Sequence, residues 1–280
     1  MNLLIALLLT CSTLSLSSQT REVIHLWPGD VPGEKDAKHP AVRKDDVKRN
    51  IIRLSDVTDP AMVVFRPDSG QSNGTGIIVC PGGAYNILAI NLEGYEVAEW
   101  LTSLGYTAFV LQYRVPDKKA GALMDAQRAI GIVRANADKW DLDTDRIGIM
   151  GFSAGGSLSA RLSTLYVNRT YEEVDSSDSF SCRPDFAALI YPAYLDEGNN
   201  RRLTPELKVN DRTPPMFIFA TADDRYANSA LVMAGALRDA DVPVELHLLP
   251  EGGHGYGLRS GNDAAETWPV LMAKWLEKTL

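Results

Sequence analysis

From about residue 60 to the C-terminus, short continuous apolar runs alternate with stretches of helical spacing. Residues 61–65, 76–80, 107–111, 146–150, 186–191, 216–220 and 244–249 read as strands. Between them, residues 93–104, 121–140, 155–165, 227–240 and 264–280 repeat apolar side chains at three and four positions, the period of an amphipathic helix. In the first of these, Val97, Trp100, Leu101 and Leu104 share one face, and Gly105 supplies a natural stop. Strands with no polar alternation are buried on both faces, and strands that take turns with helices form a mostly parallel sheet. The pattern therefore predicts an α/β fold, a parallel-rich sheet with helices on both sides. In such a sheet, sites form where the chain leaves the strands, so the loops after strands are where chemistry belongs.

With 280 residues and 45% hydrophobic content, the chain can close one large α/β core, and residues 20–280 are expected to form a single domain. The net charge of −8 and the lack of a basic stripe exclude nucleic acid as a partner. Residues 2–9 are an apolar run, followed by Ser/Thr-rich sequence to about Thr20. Residues 1–19 thus resemble an export signal, too short for a stable membrane span, although no Lys or Arg precedes the apolar run. The expected location is periplasmic or secreted. Leu8-Leu9-Thr10-Cys11 loosely resembles a lipoprotein box, with Thr10 a poor fit, so lipid anchoring at Cys11 is the lesser expectation. Cys80 and Cys182 fall at the outgoing end of one strand and the incoming end of another. A bridge tolerates only about 7 Å between α-carbons, so both are expected as free thiols. The four histidines and the cysteines lack ligand spacing, and no phosphate-cradling loop appears. No metal or cofactor is expected.

Gly151-Phe152-Ser153-Ala154-Gly155 lies between the strand at 146–150 and the helix at 155–165. G-x-S-x-G in a strand–turn–helix setting is a nucleophile elbow, and it proposes Ser153 as the reactive centre. A serine hydroxyl needs a base, and the base an orienting carboxylate. His25 and His39 precede the elbow, and His247 lies within a strand. His254 remains, in the glycine-rich loop Glu251-Gly252-Gly253-His254-Gly255-Tyr256-Gly257 after the strand at 244–249. Two loops can supply the acid: Asp223 and Asp224 directly after 216–220, or Asp196 and Glu197 further beyond 186–191. The shorter loop is preferred. Within it Asp223 is taken ahead of Asp224, which is read as a solvated or helix-capping carboxylate. An oxyanion hole needs two backbone N–H groups. One is expected from Ala154 and the other from Cys80-Pro81-Gly82-Gly83-Ala84-Tyr85. Tyr85, Tyr194, Tyr226 and Tyr256 follow strands near this site, and Tyr85 and Tyr256 are singled out as substrate-binding rings.

These segments, with Tyr113-Arg114-Val115, Asp125-Ala126-Gln127-Arg128-Ala129 and Arg183-Pro184-Asp185-Phe186, resemble the α/β-hydrolase superfamily. The likeness points to its bacterial acetyl-esterase/lipase branch, which includes acetylxylan-esterase-like proteins. It implies a central sheet of about eight strands and a Ser153–Asp223–His254 triad. It also implies an oxyanion hole from Gly82, Gly83, Ala84 and Ala154. The activity it implies is that of a serine carboxylic-ester hydrolase working through an acyl-enzyme, on short (acetyl) esters of carbohydrate such as acetylated xylan. Two departures stand out. Pro81 and Ala84 replace the first His and third Gly of the usual His-Gly-Gly-Gly, leaving open whether Gly83 or Ala84 donates. Residues 166–182 are too few for a large cap, which favours a bulky or polymeric ester. The rival readings are a prolyl-oligopeptidase-like serine peptidase, which usually carries a large additional N-terminal domain, and a non-catalytic binding module, which predicts an eroded triad.

Overall fold

The computed structural model describes residues 21–197 and 201–280. The expected export signal at 1–19 and Cys11 lie outside the described residues. The central sheet has eight strands: β1 (Val23–His25), β2 (Ala61–Phe65), β3 (Gly76–Cys80), β4 (Thr107–Gln112), β5 (Ile147–Phe152), β6 (Ala187–Ile190), β7 (Met216–Thr221) and β8 (Val244–Leu249). Their spatial order is β1-β2-β4-β3-β5-β6-β7-β8. Only β2 runs against its neighbours, pairing antiparallel with both β1 and β4. The remaining pairs are parallel, from Gly76 opposite Thr107 to Thr221 opposite Leu249.

Every residue of β2, β3, β5, β6 and β7 is buried, as the continuous apolar runs predict. Alternate side chains feed two cores. Ile78 and Cys80 join Leu158 of α3 (Ala154–Thr164), together with side chains of α2 (Lys119–Ala135) and α4 (Ala227–Asp239). On the other face, Ile77 and Val79 join Val97 and Leu101 of α1 (Glu96–Ser103) and Trp268, Met272 and Trp275 of α5 (Asp263–Thr279). Cys80 and Cys182 are both free and buried, in agreement with their placement on opposite rims.

Three local features depart from the sequence reading. The helix expected at 93–104 begins with a π-helical turn, Asn91–Tyr95, and Leu104 is 40% exposed. The helix expected at 121–140 ends at Ala135, where Asn136 turns its side chain back onto the Ile132 carbonyl at 2.8 Å; a 3₁₀ turn, Ala137–Trp140, follows. The third is the N-terminal segment before residue 61, where the apolar runs predict no strand. Beyond β1, Trp27 is 1% exposed and its Nε1–H donates to Asp125 Oδ1 at 2.9 Å. Arg114 closes the same buried cluster, donating from Nε to Asp125 Oδ2 at 2.9 Å. The same segment forms two antiparallel strands, Val42–Asp46 and Ile51–Ser55, which continue onto Leu88–Ala89 beyond β3. These strands are mostly polar or half-exposed, so apolar periodicity could not reveal them. Residues 166–182 carry one 3₁₀ turn, Ser176–Ser179, and among the described residues no large cap stands over the outgoing strand ends.

Candidate active site

Ser153 takes φ 52° and ψ −115° between β5 and α3, a conformation outside the usual regions for a residue with a side chain. Strain of this kind persists only where surroundings fix it. Here the Ser153 N–H donates to Ile190 O at 3.1 Å, and Ser153 O accepts from Ala193 N at 3.1 Å and Ser157 N at 3.0 Å. The turn also needs close backbone approach. A Cβ on Gly155 would meet Cys80 O at 2.0 Å and Pro81 O at 2.6 Å, so only glycine lets the start of α3 lie against the end of β3. The N-terminus of α3 points its unpaired N–H groups toward the serine, a field that favours negative charge there.

His254 lies in the loop after β8. Its Nε2 accepts from the Ser153 hydroxyl at 2.7 Å, and its Nδ1–H donates to Asp224 Oδ2 at 2.6 Å. The Asp224 side chain is 1% exposed and that of His254 27%, a buried carboxylate behind a reachable base. The imidazole is further held between the rings of Tyr226 and Tyr191, with centroids at 5.0 and 5.1 Å.

The carboxylate facing His254 is therefore Asp224, not the expected Asp223. The two neighbours leave β7 on a tight turn and point apart. Asp223 is exposed and accepts from Gly252 N at 3.2 Å and Gly253 N at 3.0 Å. Those bonds, Gly253 first, hold its carboxyl below the usual range. Asp223 anchors the backbone of the histidine loop, helped by Thr221 Oγ1 on Gly253 O at 2.8 Å. Asp224 uses its second oxygen, Oδ1, to accept Tyr226 N at 2.9 Å. The alternative acid Asp196 binds Ser229 and Asn228 instead. His247, within β8, bonds Glu245 at 2.8 Å.

The oxyanion loop also needs correction at one position. The Gly82 N–H is already spent on Glu93 Oε2 at 2.7 Å, so Gly82 is no donor to a substrate. A Cβ at Gly82 would stand 2.8 Å from Ser153 Cβ, which shows how closely the loop abuts the serine. Neither Gly83 N, Ala84 N nor Ala154 N donates to any described group, and these three remain as candidate donors. The loop is braced from below by Tyr113, whose hydroxyl donates to Pro81 O at 2.6 Å.

Tyr85 and Tyr256 do not offer ring faces to a ligand. Tyr85 is 1% and Tyr256 8% exposed; they pack on Tyr113 and Tyr191 respectively. The half-buried aromatic pair beside the site is Tyr194 and Tyr226, with ring centroids 5.3 Å apart. A surface groove of about 940 Å³ lined by Tyr166, Arg169, Tyr171 and Arg212 contains none of Ser153, Asp224 and His254. Sequence reasoning missed Glu93 and Tyr191. Glu93 had a detectable signal: it falls four residues before Val97 and eight before Leu101, on the apolar stripe itself.

Comparison with known proteins places this geometry among relatives. The BD-FAE family model matches residues 62–191. An acetylxylan esterase of Xylanibacter ruminicola is 30% identical over 236 residues, covering 75% of this chain and 46% of that protein. The endo-1,4-beta-xylanase B of Butyrivibrio fibrisolvens is 30% identical over 275 residues, with 42% of its length matched. The chain thus spans less than half the length of these two curated relatives. Among solved structures, the acetyl ester-xyloside bifunctional hydrolase of Caldicellulosiruptor lactoaceticus superposes with a TM-score of 0.75 at 34% identity, covering 92% of this chain and 96% of that one. A match of that identity over nearly the whole of both chains, joined to the strand order and the serine elbow, means that the chain belongs to the α/β-hydrolase superfamily, on its acetylxylan-esterase-like side.

Proposed function

We propose that this chain is a serine carboxylic-ester hydrolase that turns over short acyl esters, acetyl above all, carried on carbohydrate. The observation that carries this reading is the continuous Asp224–His254–Ser153 relay, 2.6 and 2.7 Å per link, at the outgoing ends of β5, β7 and β8. His254 Nε2 takes the Ser153 proton as Oγ attacks the ester carbonyl, while Asp224 stabilises the imidazolium that forms. The N–H groups of Ala154 and of Gly83 or Ala84 receive the oxyanion. His254 then gives its proton to the departing alcohol, and water, activated by the same base, releases the acid from Ser153.

Acetylated xylan is the substrate class in view. The names of the acetylxylan esterase and of the acetyl ester-xyloside hydrolase support it, and so does a site over which the described residues place no large cap. The relatives named here lend no support to the peptidase reading. A polymeric substrate also suits export through residues 1–19, which mass spectrometry of secreted material tests: residue 1 intact would contradict it. Ser153→Ala should abolish release of p-nitrophenol from p-nitrophenyl acetate and of acetate from acetylated xylan, with the fold intact. Turnover near the native rate in that variant would refute the assignment.

A further inference from the structure

Glu93 is a carboxylate that the scheme above does not use, yet it stands inside the site. It is 4% exposed, and both of its oxygens accept: Oε2 from Gly82 N at 2.7 Å, Oε1 from the Tyr191 hydroxyl at 2.9 Å. The Tyr191 oxygen in turn accepts Gly257 N at 3.1 Å. Gly257 belongs to the loop that carries His254, and its carbonyl accepts from Trp268 Nε1 of α5 at 2.8 Å. One side chain thus joins the loop after β3, the end of β6 and the loop after β8, the three backbone segments that must keep register around Ser153.

A buried carboxylate is expensive, and an apolar side chain of similar volume often serves stability as well or better. Burial pushes the Glu93 carboxyl up from its usual range, against the opposing hydrogen bonds from Tyr191 and Gly82 and the nearby His254. A residue on the apolar stripe of a helix would be Leu or Val if packing were its only task. What Glu93 adds is direction. By occupying the Gly82 N–H, it fixes the Pro81–Gly82 peptide plane at the entry to the loop, while the next two N–H groups, of Gly83 and Ala84, donate to no described group.

We propose that Glu93 is a positioning residue for ester hydrolysis: it pins Gly82 and, through Tyr191, the loop of His254, so that oxyanion donors and base hold one geometry across the cleft. This rests on the ester-hydrolase reading of Ser153.

The test compares Glu93→Leu, which keeps volume and loses both bonds, with Glu93→Gln, which can still accept from Gly82. For Glu93→Leu, kcat on p-nitrophenyl acetate should fall about 100-fold, as for one misplaced oxyanion donor, with KM within about threefold. Glu93→Gln should recover most of that loss. Affinity for a trifluoromethyl ketone, which forms a tetrahedral adduct on the serine, should fall in step with kcat/KM. A residue that only supports the fold would shift the melting temperature and leave kcat per folded molecule unchanged. Folded Glu93→Leu with kcat within twofold of native overturns the proposal, as does Glu93→Gln no better than Leu. If Glu93→Leu does not fold, Glu93→Gln and Tyr191→Phe decide: each should lose kcat several-fold at unchanged KM, and native kcat in both overturns it. Ser153→Ala is the control. Activity surviving there removes the ester-hydrolase reading itself, whereas an inactive Ser153→Ala beside native Glu93 variants removes only the role of Glu93.

Discussion

Replacing Asp224 with Asn is predicted to cost far more than replacing its neighbour, and the hydrogen-bond pattern says why. Asp224 has two demands on it, a backbone N–H from Tyr226 at 2.9 Å and the imidazole Nδ1 at 2.6 Å. In Asp224→Asn the single amide oxygen stays with the Tyr226 N–H, because an NH₂ there would face another donor. The NH₂ then points at His254 Nδ1 and forces it to accept. The imidazole proton moves to Nε2, the atom that must receive the proton of Ser153, and the base is lost. Loss of the correct tautomer in a serine–histidine–aspartate site costs about 10³–10⁴ in kcat, equivalent to about 4–5.5 kcal/mol of transition-state stabilisation. Asp223→Asn keeps one acceptor for the histidine loop on an exposed side chain and should change kcat by about twofold. Initial rates with saturating p-nitrophenyl acetate, beside melting curves for both variants, measure the contrast. Asp224→Asn within tenfold of native, beside an Asp223→Asn that loses three orders of magnitude, would refute Asp224 as the partner of His254.

Gly155→Ala should destabilise the protein by at least about 3 kcal/mol, because the added carbon would meet Cys80 O at 2.0 Å in a packed layer with no room to relax; denaturant melts of the variant check this, and a native midpoint would contradict it. Burial pushes the Cys80 thiol up to about 12 and also raises that of Cys182, so neither should react with a disulfide reagent at mild alkaline pH until the protein is unfolded; rapid labelling of the native protein would contradict their placement. Asp175 is held down to about 2 from 3.8, first by its hydrogen bond from Arg128. A depressed acid stabilises the fold above its unfolded value and loses that contribution as pH falls through about 2. The gap in melting temperature between native protein and Asp175→Asn should therefore be full above about pH 4 and close between there and about pH 2. A gap independent of pH would show that the ion pair is not its source.

The sheet was readable because its strands are buried on both faces, which leaves uninterrupted apolar runs. Ser153 and His254 were readable because elbow chemistry leaves few choices: only one of four histidines follows a strand beyond the elbow. Asp224 was not, since adjacent carboxylates on one tight turn have the same sequence context. What separates them is the direction each side chain leaves the backbone, and that is fixed by Gly252 and Gly253 thirty residues away. Gly82 looked like an oxyanion donor because its N–H is taken by a side chain eleven residues on, Glu93, whose place on the apolar stripe marks it as buried but does not say which backbone group it binds. Tyr85 and Tyr256 sit after strands as a binding residue would, but their neighbours Tyr113 and Tyr191 cover them. The N-terminal strands escaped detection because they are three to five residues long and mostly exposed or half-exposed, so none forms a long buried apolar run.

The central claim is that acyl transfer runs through Ser153 Oγ with His254 as base. Rapid-quench of the enzyme with isotopically labelled p-nitrophenyl acetate, followed by peptide mapping, tests it directly. One labelled acetyl group is expected on the peptide bearing Ser153, formed and lost at rates consistent with turnover and absent in Ser153→Ala. Full turnover with no acetylated peptide, or with the label on another residue, would contradict it.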